Sequence, residues 1–126
     1  MSATSHRKSR PVLDDTLLRA LGPRPDVAQV VAELAEVFLG DAFRRLGVVR
    51  QQVERGNLED VRRFAHAIKG SSLSFGACRV ARMAAALEAE ADAGVLSAAS
   101  VTARIELLAY ELEVVRKEVH ARAGNP

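Results

Sequence analysis

Two apolar seams constrain this chain more than anything else in it. Val27, Val31, Leu34, Phe38, Ala42, Leu46, Val49 and Val53 recur at spacings of three and four, as do Val101, Ile105, Leu108, Leu112, Val115 and Val119. Successive residues of an α-helix turn by about 100°, so each set forms one stripe along a helix, the first of roughly seven turns. A stripe that long can be buried only against other helices. Two further segments carry the same signal: Leu58, Val61, Ala65, Ile68, Ser72 and Phe75, then Val80, Met83, Ala84, Leu87 and Ala91. No strand alternation or internal repeat competes. The sequence predicts an all-α domain, an antiparallel up-down-up-down four-helix bundle with a short extra helix before it.

The punctuation between the seams fits. Val12 to Leu21 reads as a short amphipathic helix with Asp14 and Asp15 in its first turn, ended by Gly22-Pro23-Arg24-Pro25. Asp26 is placed to cap the first long helix, and Gly56 to close the turn after it. Asn57 can cap the next helix, with Glu59 and Asp60 favourably placed at its positive end. Gly76 suits a left-handed stop, Arg79 to Ala93 resume, and Gly94 ends that segment. Ser97 or Ser100 caps the last helix, whose final turn carries His120. The expected domain spans residues 12–121, between a disordered basic tail over residues 1–11, native or left by cloning, and a C-terminal tail over residues 122–126.

Composition enters mainly by exclusion. Lys and Arg number 18 against 16 Asp and Glu, a net charge of +2, but Arg7, Lys8 and Arg10 supply the excess and leave the rest slightly acidic. A basic arm without a basic face or interleaved aromatics gives no footprint for nucleic acid. No apolar run approaches the ~20 residues that span a bilayer, and the first residues lack the apolar centre of a secretion signal. A cytoplasmic protein is expected, with no membrane partner. The single cysteine, Cys78, has no second cysteine for a disulfide and no nearby ligand for a metal. His6 and His120 read as solvated bystanders, and Met83 as filler.

His66 is different. It lies roughly 130° from the middle of its helix's apolar face, which places it toward solvent. Lys69 follows one turn later on the same side, and Gly70 leaves no bulky side chain one turn on. Arg62, Arg63, Ala67, Leu73 and Ser74 surround it on the outer face, a mixture of basic and apolar groups suited to an acidic protein surface. Glu88 has no cation three or four residues away on its own helix and sits about 80° off that helix's core face, free to lean toward a neighbour.

The run from Ala65 to Ala77, His-x-x-Lys-Gly followed by Ser71-Ser72 and Gly76-Ala77, resembles the histidine-containing phosphotransfer (HPt) domain of bacterial phosphorelays. Leu13-Asp14, Glu33-Leu34, Phe38-Leu39 and Leu87-Glu88 also sit where that family places such residues, so the resemblance covers about residues 12 to 121. It implies the same bundle, His66 as phosphoacceptor, Lys69 as the cation stabilising the transferring oxygens, Gly70 as steric clearance and Glu88 holding the ring nitrogen that is not phosphorylated. It further implies response-regulator receiver domains as partners, supplying the aspartate and Mg2+, with no cofactor bound stably by the chain itself.

The chemistry agrees. An unprotonated imidazole nitrogen can attack phosphorus to give a phosphoramidate that a carboxylate can later take over. No Gly-rich nucleotide loop, kinase Asn and Gly boxes or receiver acidic triad is present, so the phosphoryl group must come from elsewhere and the chain is not expected to be an enzyme in its own right. It would act as a monomeric relay intermediate, free-standing or cut from a hybrid sensor kinase. The competing expectation is an interaction module that sequesters a partner without phosphotransfer, for which a damaged His-Lys-Gly site would be anticipated. A metal-binding bundle is disfavoured, because paired Glu-x-x-His ligands are missing.

Overall fold

The computed structural model describes residues 11–95 and 97–123, so all but Pro11 of the tail expected over residues 1–11, and residues 124–126 of the expected C-terminal tail, lie outside the described residues. Five helices follow in order: α1 (Thr16–Leu21), α2 (Val27–Glu54), α3 (Leu58–Phe75), α4 (Cys78–Ala93) and α5 (Ala98–Arg122), with no strand among the described residues. α3 and α5 each pack against both α2 and α4, while the diagonal pairs stay apart across the core. With short turns between successive helices, this is an antiparallel four-helix bundle. α1 rests on α2 and α3.

The interior is aliphatic. Leu39, Ile68, Leu87, Ile105, Leu108 and Leu112 are fully buried, and Ala42, Ala65 and Ala84 between them let the helices approach closely. Each large side chain removed from water contributes about 1.5–3 kcal/mol, which holds the long helices rigid under whatever their outer faces carry. Phe38 of α2 stacks on Phe75 of α3, with ring centroids 4.8 Å apart, and fixes the end of the bundle nearest α1.

Caps set the helix ends. The Asn57 side chain accepts from Asp60 N–H at 3.2 Å, and the Ser97 hydroxyl accepts from Ser100 N–H at 3.1 Å, so Ser97 is the cap of α5. Gly76 has φ 94°, a region closed to most side chains, and both Gly76 and Ala77 N–H return to Ser72 O.

Several boundaries differ from expectation. The first helix begins at Thr16, not Val12, because Pro11 to Asp14 run as a strap: Asp14 N–H donates to Gly76 O at 2.9 Å, and Leu13 is buried. Asp26 precedes α2 without capping it, since its carboxylate is taken by Arg24. Leu34 is not in the buried line of α2, which runs through Ala35, Phe38, Leu39, Ala42, Leu46 and Val49. It is 39% exposed because the α3 residues lining the same groove, Ser71 and Ser74, are too short to cover it. At the other end α5 continues through Arg122, whose guanidinium donates to Leu13 O at 3.2 Å.

Candidate functional site

The buried residues of α3 are Val61, Ala65, Ile68, Ser72 and Phe75, and His66 lies on the far side with 62% of its side chain exposed. On α4, Leu87 points into the core, which turns its neighbour Glu88 by about 100° onto the flank facing α3. The Glu88 carboxylate, 18% exposed, crosses that flank: Oε2 is 2.8 Å from His66 Nδ1, and Oε1 is 2.9 Å from Lys69 Nζ.

That carboxylate is held below the usual glutamate range, first by the hydrogen bond from Lys69 and then by His66, against a partial burial that acts the other way. An ionised carboxylate only accepts, so the proton of the neutral ring sits on Nδ1. Nε2, on the opposite side of the ring, then carries the free lone pair. Glu88 therefore fixes both the tautomer and the direction of the imidazole.

The structure brings together three residues singled out from the sequence, His66, Lys69 and Glu88, and adds one link among them that the sequence does not show. Helical spacing leaves Lys69 free beside the imidazole, whereas it is tethered to Glu88 on the neighbouring helix. No spacing within one helix can reveal a pair that crosses between two.

The outer face is also less cationic than Arg62 and Arg63 imply. Glu59 pairs with Arg62 at 2.6 Å and Asp60 with Arg63 at 2.7 Å, each one turn away on α3. The acids that favour the positive end of α3 thus balance the arginines beside His66. Gly70 lies exposed one turn past His66, and a Cβ built on it would meet nothing within 4 Å. Nothing among the described residues requires a glycine there. Ala67 is half-buried, Ser74 exposed, and Leu73 is 55% exposed two turns from His66.

A neighbouring groove between α2 and α3, lined by Leu34, Val37, Phe38, Ser71 and Ser74, adds apolar surface that sequence reasoning does not assign to the site. Val37 is legible as an apolar residue off the seam, while Leu34 reads as part of it. Among the described residues no group of three or more His, Cys, Asp or Glu side chains is arranged to hold a metal ion, and no helix is long and apolar enough to cross a membrane. The arrangement offers a directed nucleophilic nitrogen, an adjacent ammonium and a carboxylate behind the ring.

Comparison with known proteins points the same way. A family model described as the Hpt domain matches residues 33–121. The crystal structure of histidine-containing phosphotransfer protein B (HptB) from Pseudomonas aeruginosa PAO1 superposes with a TM-score of 0.74 at 29% sequence identity, covering 92% of this chain and 97% of that one. No curated protein sequence matches the chain.

Proposed function

Because the chain belongs to the Hpt domain family, we propose that it is a phosphorelay intermediate in which His66 accepts a phosphoryl group from the aspartyl phosphate of a response-regulator receiver domain and passes it to another receiver aspartate. The observation that carries this reading is the 2.8 Å contact between Glu88 and His66 Nδ1 behind a ring that is more than half exposed. Nε2 attacks phosphorus, the bond from phosphorus to the aspartate oxygen breaks, and the carboxylate leaves with the electron pair. The Nδ1 proton stays in place, so the phosphorylated ring is cationic and the Glu88 carboxylate stabilises it. Return transfer runs the same steps backwards.

Lys69 supplies positive charge to the equatorial oxygens by turning from Glu88 toward the phosphoryl group, and Mg2+ bound in the receiver would supply the remaining positive charge. In this reading the phosphoryl group comes from the receiver and not from ATP bound by the chain. Gly70, Ala67, Leu73 and Ser74, with Arg62 and Arg63 at the rim, form the docking face of a monomer working in the cytoplasm, alongside a receiver of a hybrid sensor kinase. The test is to mix the protein with a phosphorylated receiver and Mg2+ and map the acid-labile label. Label on His66, lost in His66→Gln, is expected; label that survives this substitution, or resides on His6 or His120, would refute the assignment.

A further inference from the structure

At the end of the bundle, between α1, the strap before it and the adjoining ends of α2, α3 and α5, lies a cavity of about 220 Å3. Leu13, Leu17, Val27, Val31, Phe75 and Val119 line it. Two charged residues, Asp14 and Arg122, also border it, and both are already engaged. Asp14 Oδ1 accepts from Thr16 N–H at 2.9 Å, while Arg122 donates to Glu118 at 2.8 Å and to Leu13 O at 3.2 Å. A charged ligand would have to break these bonds to gain its own, so the lining selects for an apolar, uncharged molecule.

Size narrows the class further. An apolar protein cavity of about 150 Å3 accepts benzene, so this one has room for a substituted ring or two small fused rings. The position matters as much as the volume. α1 is six residues long and has no buried residue of its own. It is held by the strap bonds at Asp14 and Leu13 and by side chains facing the cavity. Leu17 and Phe75 also line the α2–α3 groove beside the His66 face, so one pair of side chains borders both spaces.

We propose that this cavity is a binding site for a small uncharged aromatic molecule of one ring or two fused rings, whose occupation tightens α1 on the bundle and is felt in the α2–α3 groove through Leu17 and Phe75. The site is separate from His66 and is tested without phosphotransfer.

The probes are indole and benzene, titrated into the full chain. The chain has no tryptophan, so indole emission can be followed without background from one. Saturable binding, a ligand-dependent rise in Tm and amide shifts at Leu17 and Phe75 together with Ser71 and Ser74 are expected. Val31→Phe, filling the cavity from α2, should weaken indole binding at least about tenfold, and indole-3-acetate, which carries a charge, should bind at least about tenfold more weakly than indole. Absence of saturable binding by either probe, or equal binding by Val31→Phe, would overturn the site. Should Val31→Phe fail to fold, Leu17→Ala decides, because it removes one wall: a tenfold change in indole affinity upholds the proposal and an unchanged affinity overturns it. Binding lost instead on Leu107→Ser or Tyr110→Ser, exposed apolar positions on α5, would show surface adsorption and overturn it as well.

Discussion

Glu88 of α4 reaches across to His66 of α3, with 2.8 Å between Oε2 and Nδ1, while its other oxygen holds Lys69 at 2.9 Å. One carboxylate thus orients the imidazole and restrains the ammonium beside it. Glu88→Ala should release both and slow receiver-to-His66 transfer by about tenfold, on the order of the loss when a partner that orients a metal-ligating histidine is removed. Glu88→Gln keeps a hydrogen-bonding amide beside Nδ1 but no longer neutralises a cationic ring, so its rate should fall between Glu88→Ala and the parent. Rapid-quench transfer assays at saturating receiver measure this. Equal rates for all three proteins would remove Glu88 from the mechanism.

The same carboxylate makes stability depend on pH. Its folded-state pKa is depressed by Lys69 and His66. Its contribution is therefore complete above the ordinary glutamate value of about 4.3 and is lost as pH falls through the depressed folded value. The comparison is best made in a His66→Gln background, which isolates the pair that Glu88 makes with Lys69. There, the Tm advantage of the protein that keeps Glu88 over the one that also carries Glu88→Gln should be level above about pH 6 and should shrink on acidification below about pH 4. Thermal unfolding across that range checks the sign; an advantage that grew at low pH would contradict the ion pair with Lys69.

Much of this is readable in advance because periodicity reports which face of a helix is buried. Every α5 seam residue from Val101 to Val119 is buried, and Asn57 caps α3. Some misses are local, as where Arg24 takes the Asp26 carboxylate two residues away, but most depend on a contact between segments distant in sequence. Asp14 looks like a first-turn acid until Gly76 O takes its N–H, and Leu34 looks like core until short serines are found lining the groove beside it. At the site, helical angle places His66 outward and leaves Glu88 able to lean, yet the Lys69–Glu88 pair needs the register between α3 and α4, which no single-helix pattern contains.

Lys69→Ala should separate chemistry from scaffolding. The ion pair it removes is partly exposed, at 30% and 18% for the two side chains, and such pairs contribute at most about 1 kcal/mol. Charge stabilisation at a transferring phosphoryl group is worth more, so transfer should slow by about tenfold or more, equivalent to about 1.4 kcal/mol in the barrier. A rate loss that merely tracks the unfolded fraction would assign Lys69 to stability.

Gly70→Leu tests whether the glycine serves the partner. A Cβ there meets nothing within 4 Å among the described residues, and leucine favours helix over glycine by somewhat under about 1 kcal/mol, so Tm should hold or rise. Receiver binding and transfer should drop together, because the added side chain stands one turn from the imidazole. Titration calorimetry against the receiver, beside the melting curve, gives both quantities; a variant that binds and transfers like the parent would show that the docked face does not come this close.

Gly76→Ala should unfasten the strap while sparing the histidine. At φ 94° an alanine is strained, and its Cβ would lie 2.5 Å from Asp14 Oδ1 and 3.2 Å from Asp14 O. Either the α3–α4 turn or the strap must move, and the Asp14 N–H to Gly76 O bond is the first to be lost. A destabilisation of about 2 kcal/mol or more is expected, combining the backbone strain with the displaced contact. The local consequence distinguishes this from general weakening. Cys78, the first residue of α4, donates its thiol to Pro11 O at 3.1 Å, so lifting the strap uncovers the sulfur. Maleimide labelling of Cys78 well below the melting temperature should therefore accelerate in Gly76→Ala, whereas transfer to His66, more than two turns up α3 and held by Glu88, should stay close to the parent rate. A lower Tm with unchanged Cys78 labelling would place the strain in the turn alone and leave the strap seated.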